Sequence, residues 1–273
     1  MKEELKYALV TGASSGIGWH IAKELAARGY GIIAVSNQEE QLADLKSELE
    51  GSFQIKVQIL DLDLSRSDAA TEVFAFCQDN NLQVEVLVNN AGMMIYGEVV
   101  NTDFHKVNEI LQLHMHTPVL LSRLFGKQMQ ENHKGYILNL SSISAVMPYP
   151  TISLYGPTKT FLRKFTRAMR HEMKEAGVFV TCLLPGATAT ALYDTKHLNV
   201  PMAMRLRIMK RPEDVARKGV KALLNNRPIR IPGMVNKFVV YFFPLIPSCL
   251  IGWIYKRVKK RELKRNKKEQ SDT

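Results

Sequence analysis

Cysteine is scarce in this chain of 273 residues, and its scarcity limits the kinds of site that the chain can hold. Only Cys77, Cys182 and Cys249 are present, far apart and odd in number, and no Cys-x-x-Cys pair occurs. This pattern argues against a disulfide framework or a zinc site and is typical of a reducing compartment. His105 and His116 have no ligand partners at a recognisable spacing, so we expect no metal site.

The sequence also lacks the features of a targeting segment or a repeat protein. The opening MKEELKYALV has acidic residues and no apolar core, so it does not resemble a signal peptide. The net charge of +11 is uneven: residues 256–273 contain nine Lys/Arg and three Asp/Glu, a net +6, which leaves +5 for the first 255 residues. Because the positive charge belongs largely to the tail, support for nucleic-acid binding is weak, and we expect no nucleic-acid partner.

Short apolar segments alternate with longer amphipathic ones along most of the chain. Strands separated by helices of ten or more residues predict right-handed βαβ units and a parallel sheet, and nearly all-apolar strands predict that both faces are covered. The chain is therefore expected to form one doubly wound α/β domain over residues 1–233, followed by a tail over 234–273. The segments predicted to hold a strand, some with the turn that follows it, are 7–12, 31–36, 53–64, 84–92, 135–142 and 178–186, and the predicted helices between the first four are 16–29, 38–51 and 67–80.

A glycine-rich turn, TGASSGIG at residues 11–18, joins the first predicted strand to the first predicted helix. Gly12, Gly16 and Gly18 permit a tight turn and a close approach of the backbone to a pyrophosphate, while the helix N-terminus supplies free N–H groups. A glycine pattern alone is a weak signal, but its position between a strand and a helix strengthens it.

Tyr155 and Lys159, in SLYGPTKTF, lie four residues apart and so on one face of a helix. A nearby ammonium group favours the phenolate and lowers the pKa of a tyrosine, which makes the pair a candidate acid/base. The alternative is two ordinary helix residues, because this spacing is common by chance.

Five motifs in this order resemble the short-chain dehydrogenase/reductase family, from about residue 6 to about residue 233. They are the glycine turn, NNAG at 89–92, Ser142 thirteen residues before Tyr155, the Tyr155–Lys159 pair, and Pro185–Gly186. The resemblance implies a Rossmann-type fold, a nicotinamide cofactor, interconversion of a carbonyl and a secondary alcohol by hydride transfer, and a homo-oligomer. The neighbouring Ser141 is the alternative to Ser142, and the thirteen-residue spacing favours Ser142.

By the same resemblance, Tyr155 is the general acid/base, Lys159 lowers its pKa and binds the nicotinamide ribose, and Ser142 hydrogen-bonds the substrate oxygen. The resemblance also implies a set of residues that bind the cofactor. They are Gly12, Ser14, Ser15, Gly16, Ile17, Gly18, Ser36, Asn37, Asp63, Leu64, Asn90, Ala91, Gly92, Tyr155, Lys159, Pro185, Gly186 and Thr188.

His114 stands where the family usually has an asparagine, in the helix predicted around residues 109–124. In the family that asparagine helps to hold a water in a proton relay. Two interpretations of His114 stay open: it is a polar helix residue, or its ring joins the relay, since imidazole can both accept and donate a proton.

The end of the second strand carries Ser36 and Asn37, whereas NAD-selective relatives usually have an aspartate there. No carboxylate is present to repel a 2′-phosphate, although no arginine or lysine is present to bind one, and Ser15 replaces a residue that is often basic in NADP enzymes. We expect NADP as the cofactor, with NAD as the alternative.

The segment 187–211 corresponds to the variable substrate lid of the family and is rich in Met, Leu and Ala. Together with Met93, Met94 and Met147 it favours an apolar substrate, such as a steroid or an acyl chain, although methionine also serves as core filler. Two other functions stay open: a 3-oxoacyl reductase of lipid synthesis, and a non-catalytic nucleotide sensor on the same fold.

Residues 238–255 form an uncharged run of eighteen residues that Pro244 and Pro247 interrupt, and the basic segment 256–268 follows. A straight membrane-spanning helix needs about twenty apolar residues, so we expect this tail to contact a membrane surface without crossing it. The alternative is packing over the lid or a partner subunit. The expected location is cytoplasmic, with peripheral contact to a membrane.

Overall fold

The computed structural model describes residues 5–147, 149–190, 209–247, 249–253 and 255–257. The strands are β1 (Tyr7–Thr11), β2 (Gly31–Ser36), β3 (Val57–Asp61), β4 (Val84–Asn89), β5 (Gly135–Leu140), β6 (Val178–Leu183) and β7 (Ile229–Arg230). They form one parallel sheet in the order β3-β2-β1-β4-β5-β6-β7. This arrangement confirms the predicted doubly wound fold.

Helices cover both faces of the sheet. Side chains along each strand alternate between the two faces, so nearly all-apolar strands make both faces apolar, and both must be buried. The helices are α1 (Gly16–Ala26), α2 (Glu39–Ser52), α3 (Ala69–Asp79), α4 (Phe104–Leu111), α5 (Thr117–Glu131), α6 (Tyr155–Met173), α7 (Pro212–Leu224) and α8 (Met234–Phe242). On β1, Leu9 packs into a core formed with α3, α5 and α6, whereas Ala8 and Val10 pack into a second core formed with α1, α2 and α7.

The strand order reverses between β1 and β4, and this reversal locates the site. Chain connections from β1 and β4 leave in opposite directions, so a crevice opens at the carboxyl ends of these two strands. The motifs predicted to bind a cofactor follow β1 and β4 directly.

Two segments differ from the sequence prediction. The helix expected over 109–124 is split into α4 and α5 by one turn of π-helix, Gln112–His116. Pro118, near the start of α5, has no N–H to donate, which interferes with regular hydrogen bonding at this point. The two-residue strand β7, Ile229–Arg230, is an addition to the six predicted strands, whereas β3 lies within the segment 53–64 that was predicted to hold it.

The lid predicted over 187–211 lies mostly outside the described residues, which omit 191–208. Its two ends are paired: the Ala189 N–H donates to the Lys210 carbonyl at 3.0 Å, and the Lys210 N–H donates to the Ala187 carbonyl at 2.9 Å.

The first helix of the tail, α8, packs against the domain. Val240 joins a small cluster with Cys182, Leu184 and Ile231, and Asn236 is buried. Among the described helices, none is long and apolar enough to cross a bilayer alone; the pair Met234–Leu245 and Cys249–Arg257 reaches that length and composition together but bends by 105° between its halves.

Candidate active site

The glycine turn after β1 places backbone, rather than side chains, at the crevice. Gly12 and Gly16 have φ values of +63° and +57°, which side chains rarely tolerate. A Cβ atom on Gly12 would lie 2.8 Å from the Cα of Ala91, and one on Gly18 would lie 2.1 Å from the Gly12 carbonyl oxygen. Ser15, the residue before α1, makes no side-chain cap, so the helix N-terminus remains available to an anion.

A cavity of about 330 Å³ crosses the carboxyl ends of the strands and contains nearly all the predicted site residues. Every residue predicted to bind the cofactor lines it except Gly18, which packs beneath the turn against Gly12. Ser142 also lines it, whereas His114 lies behind the wall. Ser141, the alternative to Ser142, lines it too. Five further lining residues were not predicted from the sequence: Gln38, Leu62, Leu113, Leu140 and Thr190.

Tyr155 and Lys159 lie one helical turn apart at the start of α6, and both are buried at the edge of the cavity. The Lys159 Nζ atom lies 5.6 Å from the centre of the Tyr155 ring and donates a hydrogen bond to the Leu140 carbonyl at 3.1 Å. Burial lowers the pKa of Lys159 to about 8. Pro157 falls in the first turn of α6, where its missing N–H costs nothing.

The two serines after β5 have different environments. Ser141 donates from Oγ to the Lys159 carbonyl at 2.7 Å and so ties the sheet to α6. Ser142 accepts a hydrogen bond at its Oγ from the Ser144 N–H at 3.1 Å, and its hydroxyl, which has no acceptor among the described residues, lines the cavity. This geometry favours Ser142 over Ser141 as the residue that meets a substrate.

Asn90, directly after β4, hydrogen-bonds to the start of the glycine turn. Its Nδ2 donates to the carbonyls of Thr11 and Gly12 at 2.8 and 2.9 Å, and its N–H donates to Thr11 Oγ1 at 2.9 Å. Asn89 is buried below it and donates to Asn139 Oδ1 at 2.7 Å. The NNAG motif therefore fixes the two sides of the crevice relative to each other.

The far end of the cavity, beyond the glycine turn, is polar and uncharged apart from Asp63. Ser36 donates to Ser14 Oγ at 2.9 Å, and Asn37 lies next to it on the cavity wall. Among the described lining residues Lys159 is the one basic side chain, and it lies at the opposite end.

His114, in the π-helical turn, is 1% exposed and lies edge-on to Tyr155, with ring centres 5.5 Å apart. Its Nε2 accepts a hydrogen bond from the Met93 N–H at 3.0 Å, and its Nδ1 lies 3.0 Å from Thr158 Oγ1. Burial, and secondarily the charge of Lys159, hold the pKa of His114 well below its usual value. Thr158, a residue that sequence reasoning missed, carried no signal other than its place between Tyr155 and Lys159.

Within the described residues no group of three or more His, Cys, Asp or Glu side chains is arranged to hold a metal ion.

The chain is similar in sequence to known proteins that belong to one enzyme family. A family model for short chain dehydrogenases matches residues 6–200. The chain is 30% identical over 256 residues to very-long-chain 3-oxoacyl-CoA reductase-B of Danio rerio, covering 91% of this chain and 74% of that protein. It is 31% identical over 192 residues to very-long-chain 3-oxoacyl-CoA reductase of Rattus norvegicus, covering 68% and 61%, and 31% identical over 199 residues to 17-beta-hydroxysteroid dehydrogenase type 3 of Homo sapiens, covering 71% and 62%. The chain thus matches about three fifths of the length of the rat and human relatives.

Solved structures share the fold at lower identity. A 7beta-hydroxysteroid dehydrogenase structure superposes with a TM-score of 0.81 at 23% identity, covering 87% of this chain and 91% of that one. A short-chain dehydrogenase from Sphingobium yanoikuyae in complex with NADPH superposes with a TM-score of 0.76 at 23% identity, covering 96% of both chains. The family model, the zebrafish relative and the site geometry lead to one conclusion: the chain belongs to the short-chain dehydrogenase/reductase family.

Proposed function

We propose that this protein is an NADP(H)-dependent oxidoreductase that interconverts a carbonyl and a secondary alcohol on an apolar substrate. One observation carries the proposal. Ser142, Tyr155 and Lys159 line one end of the cavity whose other end is formed by the glycine turn and the end of β2. A dinucleotide held along this cavity would have its reactive end beside the three side chains.

The glycine turn suits the pyrophosphate of such a cofactor. The backbone of Gly12 and Gly16 leaves room for close approach, and the N-terminus of α1, which has no side-chain cap, offers N–H groups and a positive dipole. When bound, the nicotinamide cofactor supplies or accepts the hydride. The protein positions the reactants and moves the proton.

Tyr155 is the proposed general acid/base. In reduction its hydroxyl donates a proton to the substrate oxygen, and in oxidation its phenolate takes that proton. The Lys159 ammonium near the ring favours the phenolate and binds the nicotinamide ribose. Ser142 donates a hydrogen bond to the same substrate oxygen and stabilises charge that develops there.

The choice of NADP rests on the far end of the cavity. The hydroxyl of Ser14, whose oxygen accepts from Ser36, and the amide of Asn37 can donate hydrogen bonds to a 2′-phosphate, and no carboxylate at the end of β2 opposes it. A relative of the same fold was solved with NADPH. Since no arginine or lysine among the described residues at this end strengthens the contact, we expect only a modest preference over NAD(H).

The substrate is proposed to be apolar, either a 3-oxoacyl thioester or a steroid. Relatives named as very-long-chain 3-oxoacyl-CoA reductase and as 17-beta-hydroxysteroid dehydrogenase support these two classes. A nucleotide sensor is the third candidate, but the presence of Ser142, Tyr155 and Lys159 together favours an enzyme. We also propose a homo-oligomer, by analogy with the family.

The tail is proposed to contact a membrane surface. The outer face of α8 presents Met234, Val235, Phe238 and Tyr241, each more than half exposed, while its inner face is anchored on the domain. The basic sequence 256–268 follows this apolar face and would attract anionic lipids.

The function is tested by following NADPH and NADH absorbance with steroids, 3-oxoacyl thioesters and simple ketones. Tyr155→Phe should lower kcat by about 10²- to 10⁴-fold, the usual contribution of general acid/base catalysis, and leave NADPH affinity nearly unchanged. Tyr149→Phe, an exposed tyrosine nearby, is the matched control and should keep full activity. Near-full kcat in Tyr155→Phe would contradict the assigned role, and turnover of no carbonyl or alcohol by the unmodified protein would favour the sensor.

A further inference from the structure

His114 joins two parts of the candidate active site that are distant in sequence. One ring nitrogen meets the backbone of Met93, in the segment that follows β4 at the cavity wall. The other meets Thr158, which lies on α6 between Tyr155 and Lys159. The ring itself lies in a π-helical turn, a deviation from regular helix that is frequent at functional sites.

The hydrogen bonds around the ring define its tautomer. The Met93 backbone N–H can only donate, so Nε2 accepts and carries no proton. The Thr158 hydroxyl gives its hydrogen to the Tyr155 carbonyl at 2.9 Å, so its oxygen accepts from His114, and the ring proton is on Nδ1. The imidazole is therefore neutral, and both of its nitrogens are occupied.

This arrangement leaves the ring no nitrogen with which to pass a proton. A relay through His114 would require Nε2 to leave the Met93 N–H and take up a proton within a site that already contains the Lys159 ammonium. The His114 ring and the Lys159 ammonium both border the small space beside Gly92: a Cβ atom built on Gly92 would lie 3.1 Å from His114 Nε2 and 3.5 Å from Lys159 Nζ. A protonated ring and the ammonium would therefore be two positive charges near each other in a buried site, where they repel.

We propose that His114 is a positioning residue, which fixes the segment at Met93 to the catalytic helix at Thr158 and thereby orients Tyr155. This inference rests on the proposed function, because it assigns Tyr155 as the acid/base. The contact between the ring edge of His114 and Tyr155 adds a second constraint on the phenol.

The test compares four variants in the full chain. His114→Leu removes both hydrogen bonds, and His116→Leu is its matched control, two residues away on an exposed position of the same turn. Thr158→Val removes the hydroxyl with little change in volume, and Thr158→Ser retains it. His114→Leu and Thr158→Val should each lower kcat by about 10- to 100-fold, as misplacement of a catalytic group does, without moving the pH midpoints of the rate profile. Thr158→Ser should recover most of the loss.

A readout that does not need turnover separates this inference from the proposed function. In ¹⁵N-histidine-labelled protein, the NMR spectrum should give the Nδ1–H tautomer for His114 from pH 6 to pH 8, an interval around the usual histidine pKa of about 6.5. The Met93 amide should lose hydrogen-exchange protection in His114→Leu and keep it in His116→Leu. An Nε2–H tautomer, an unchanged Met93 amide in His114→Leu, or full activity in Thr158→Val would overturn the proposal, as would a shift of the pH profile in His114→Leu, which a relay predicts.

Discussion

Lys159 illustrates at the scale of one residue how the candidate site departs from what stability favours. Its ammonium is buried and donates a hydrogen bond to the Leu140 carbonyl, and no carboxylate among the described residues pairs with it. A folded-state pKa of about 8, compared with 10.5 for an ordinary lysine, corresponds to a cost of about 3 kcal/mol at neutral pH. The residue is retained, we infer, because the phenol beside it needs a positive charge.

Replacing this lysine should therefore stabilise the fold while abolishing turnover. Lys159→Met removes the buried charge and keeps most of the side-chain volume, so we expect the melting temperature at pH 7 to rise by several degrees. Lys127→Met, on an exposed part of α5, is the matched control and should change stability little. Differential scanning calorimetry on both variants provides the measurement.

The same comparison has a defined pH dependence. Because the folded pKa of Lys159 is lower than the unfolded one, the unfolded chain binds the extra proton between about pH 8 and 10.5, and the stability of the unmodified protein rises with pH over that interval. The advantage of Lys159→Met should be largest below pH 8 and should fade towards pH 10.5. A constant advantage across this range, or a lower melting temperature at pH 7, would refute the account.

At the scale of the element, the strands and the order of the motifs could be predicted because each depends on local sequence. The apolar run at 31–36 is β2 with the predicted bounds, and the Gly turn after β1 lies where its residues indicate. The split of the helix around Pro118 was not predicted, because local hydrogen bonding decides it rather than periodicity, and the two residues of β7 are too few to show a periodicity.

Contacts between distant elements account for most of what the sequence could not predict at the site. His114 was recognised as unusual, but its two partners lie 21 and 44 residues away, and only the fold brings Met93 and Thr158 to its ring. Ser141 and Ser142 are the same residue type, and only their spacing to Tyr155 distinguished them in the sequence. In the structure, the bond from Ser141 to the Lys159 carbonyl shows that the two hydroxyls have different environments.

Gly18 tests the packing of the first βαβ unit. A methyl group there would meet the Gly12 carbonyl oxygen at 2.1 Å and Asn90 Nδ2 at 2.5 Å, so Gly18→Ala should push α1 away from the turn. We expect a loss of about 1 to 3 kcal/mol in unfolding free energy together with much weaker NADPH binding. Chemical denaturation and fluorescence titration measure the two effects.

Gly51→Ala is the matched control for that experiment. Gly51 lies in α2, and a Cβ atom added there would meet nothing within 4 Å. Since alanine is the better helix former, Gly51→Ala should be neutral or stabilising by up to about 1 kcal/mol. Equal effects of the two substitutions would mean that the close approach at Gly18 does not govern the turn.

At the scale of the whole molecule, the charge and the exposed apolar surface are concentrated at the same end of the chain. Residues 256–273 carry a net +6 of the total +11. The helix before them, α8, is anchored at Asn236 beside Gly186, where a Cβ atom would lie 2.4 Å from Asn236 Oδ1, and so it adjoins the wall of the candidate active site. Tyr255 donates to Glu98 at 2.6 Å, which links the next part of the tail to the segment after β4.

These contacts decide how the membrane proposal should be tested. A chain ending at residue 233 would lack α8 and would therefore expose the apolar cluster against which Val240 packs. A chain ending at residue 255 is the better comparison, because it removes the basic segment and keeps α8. A second variant, Phe238→Ser with Phe242→Ser, reduces the apolar face, and Phe104→Ser is its control at an exposed phenylalanine outside the tail.

We expect the full chain to sediment with anionic liposomes, weakly with neutral ones, and less at high salt, because screening shortens the reach of the basic charges. Each Lys or Arg near an anionic surface contributes about 1 kcal/mol, so the chain ending at residue 255 should largely stay in the supernatant. The double phenylalanine variant should bind more weakly than the full chain, and Phe104→Ser should bind equally well. Equal sedimentation of the full chain, the shortened chain and the phenylalanine variants would contradict surface contact through the tail, and binding that resists both high salt and carbonate washing would instead indicate that the bent helix pair enters the bilayer.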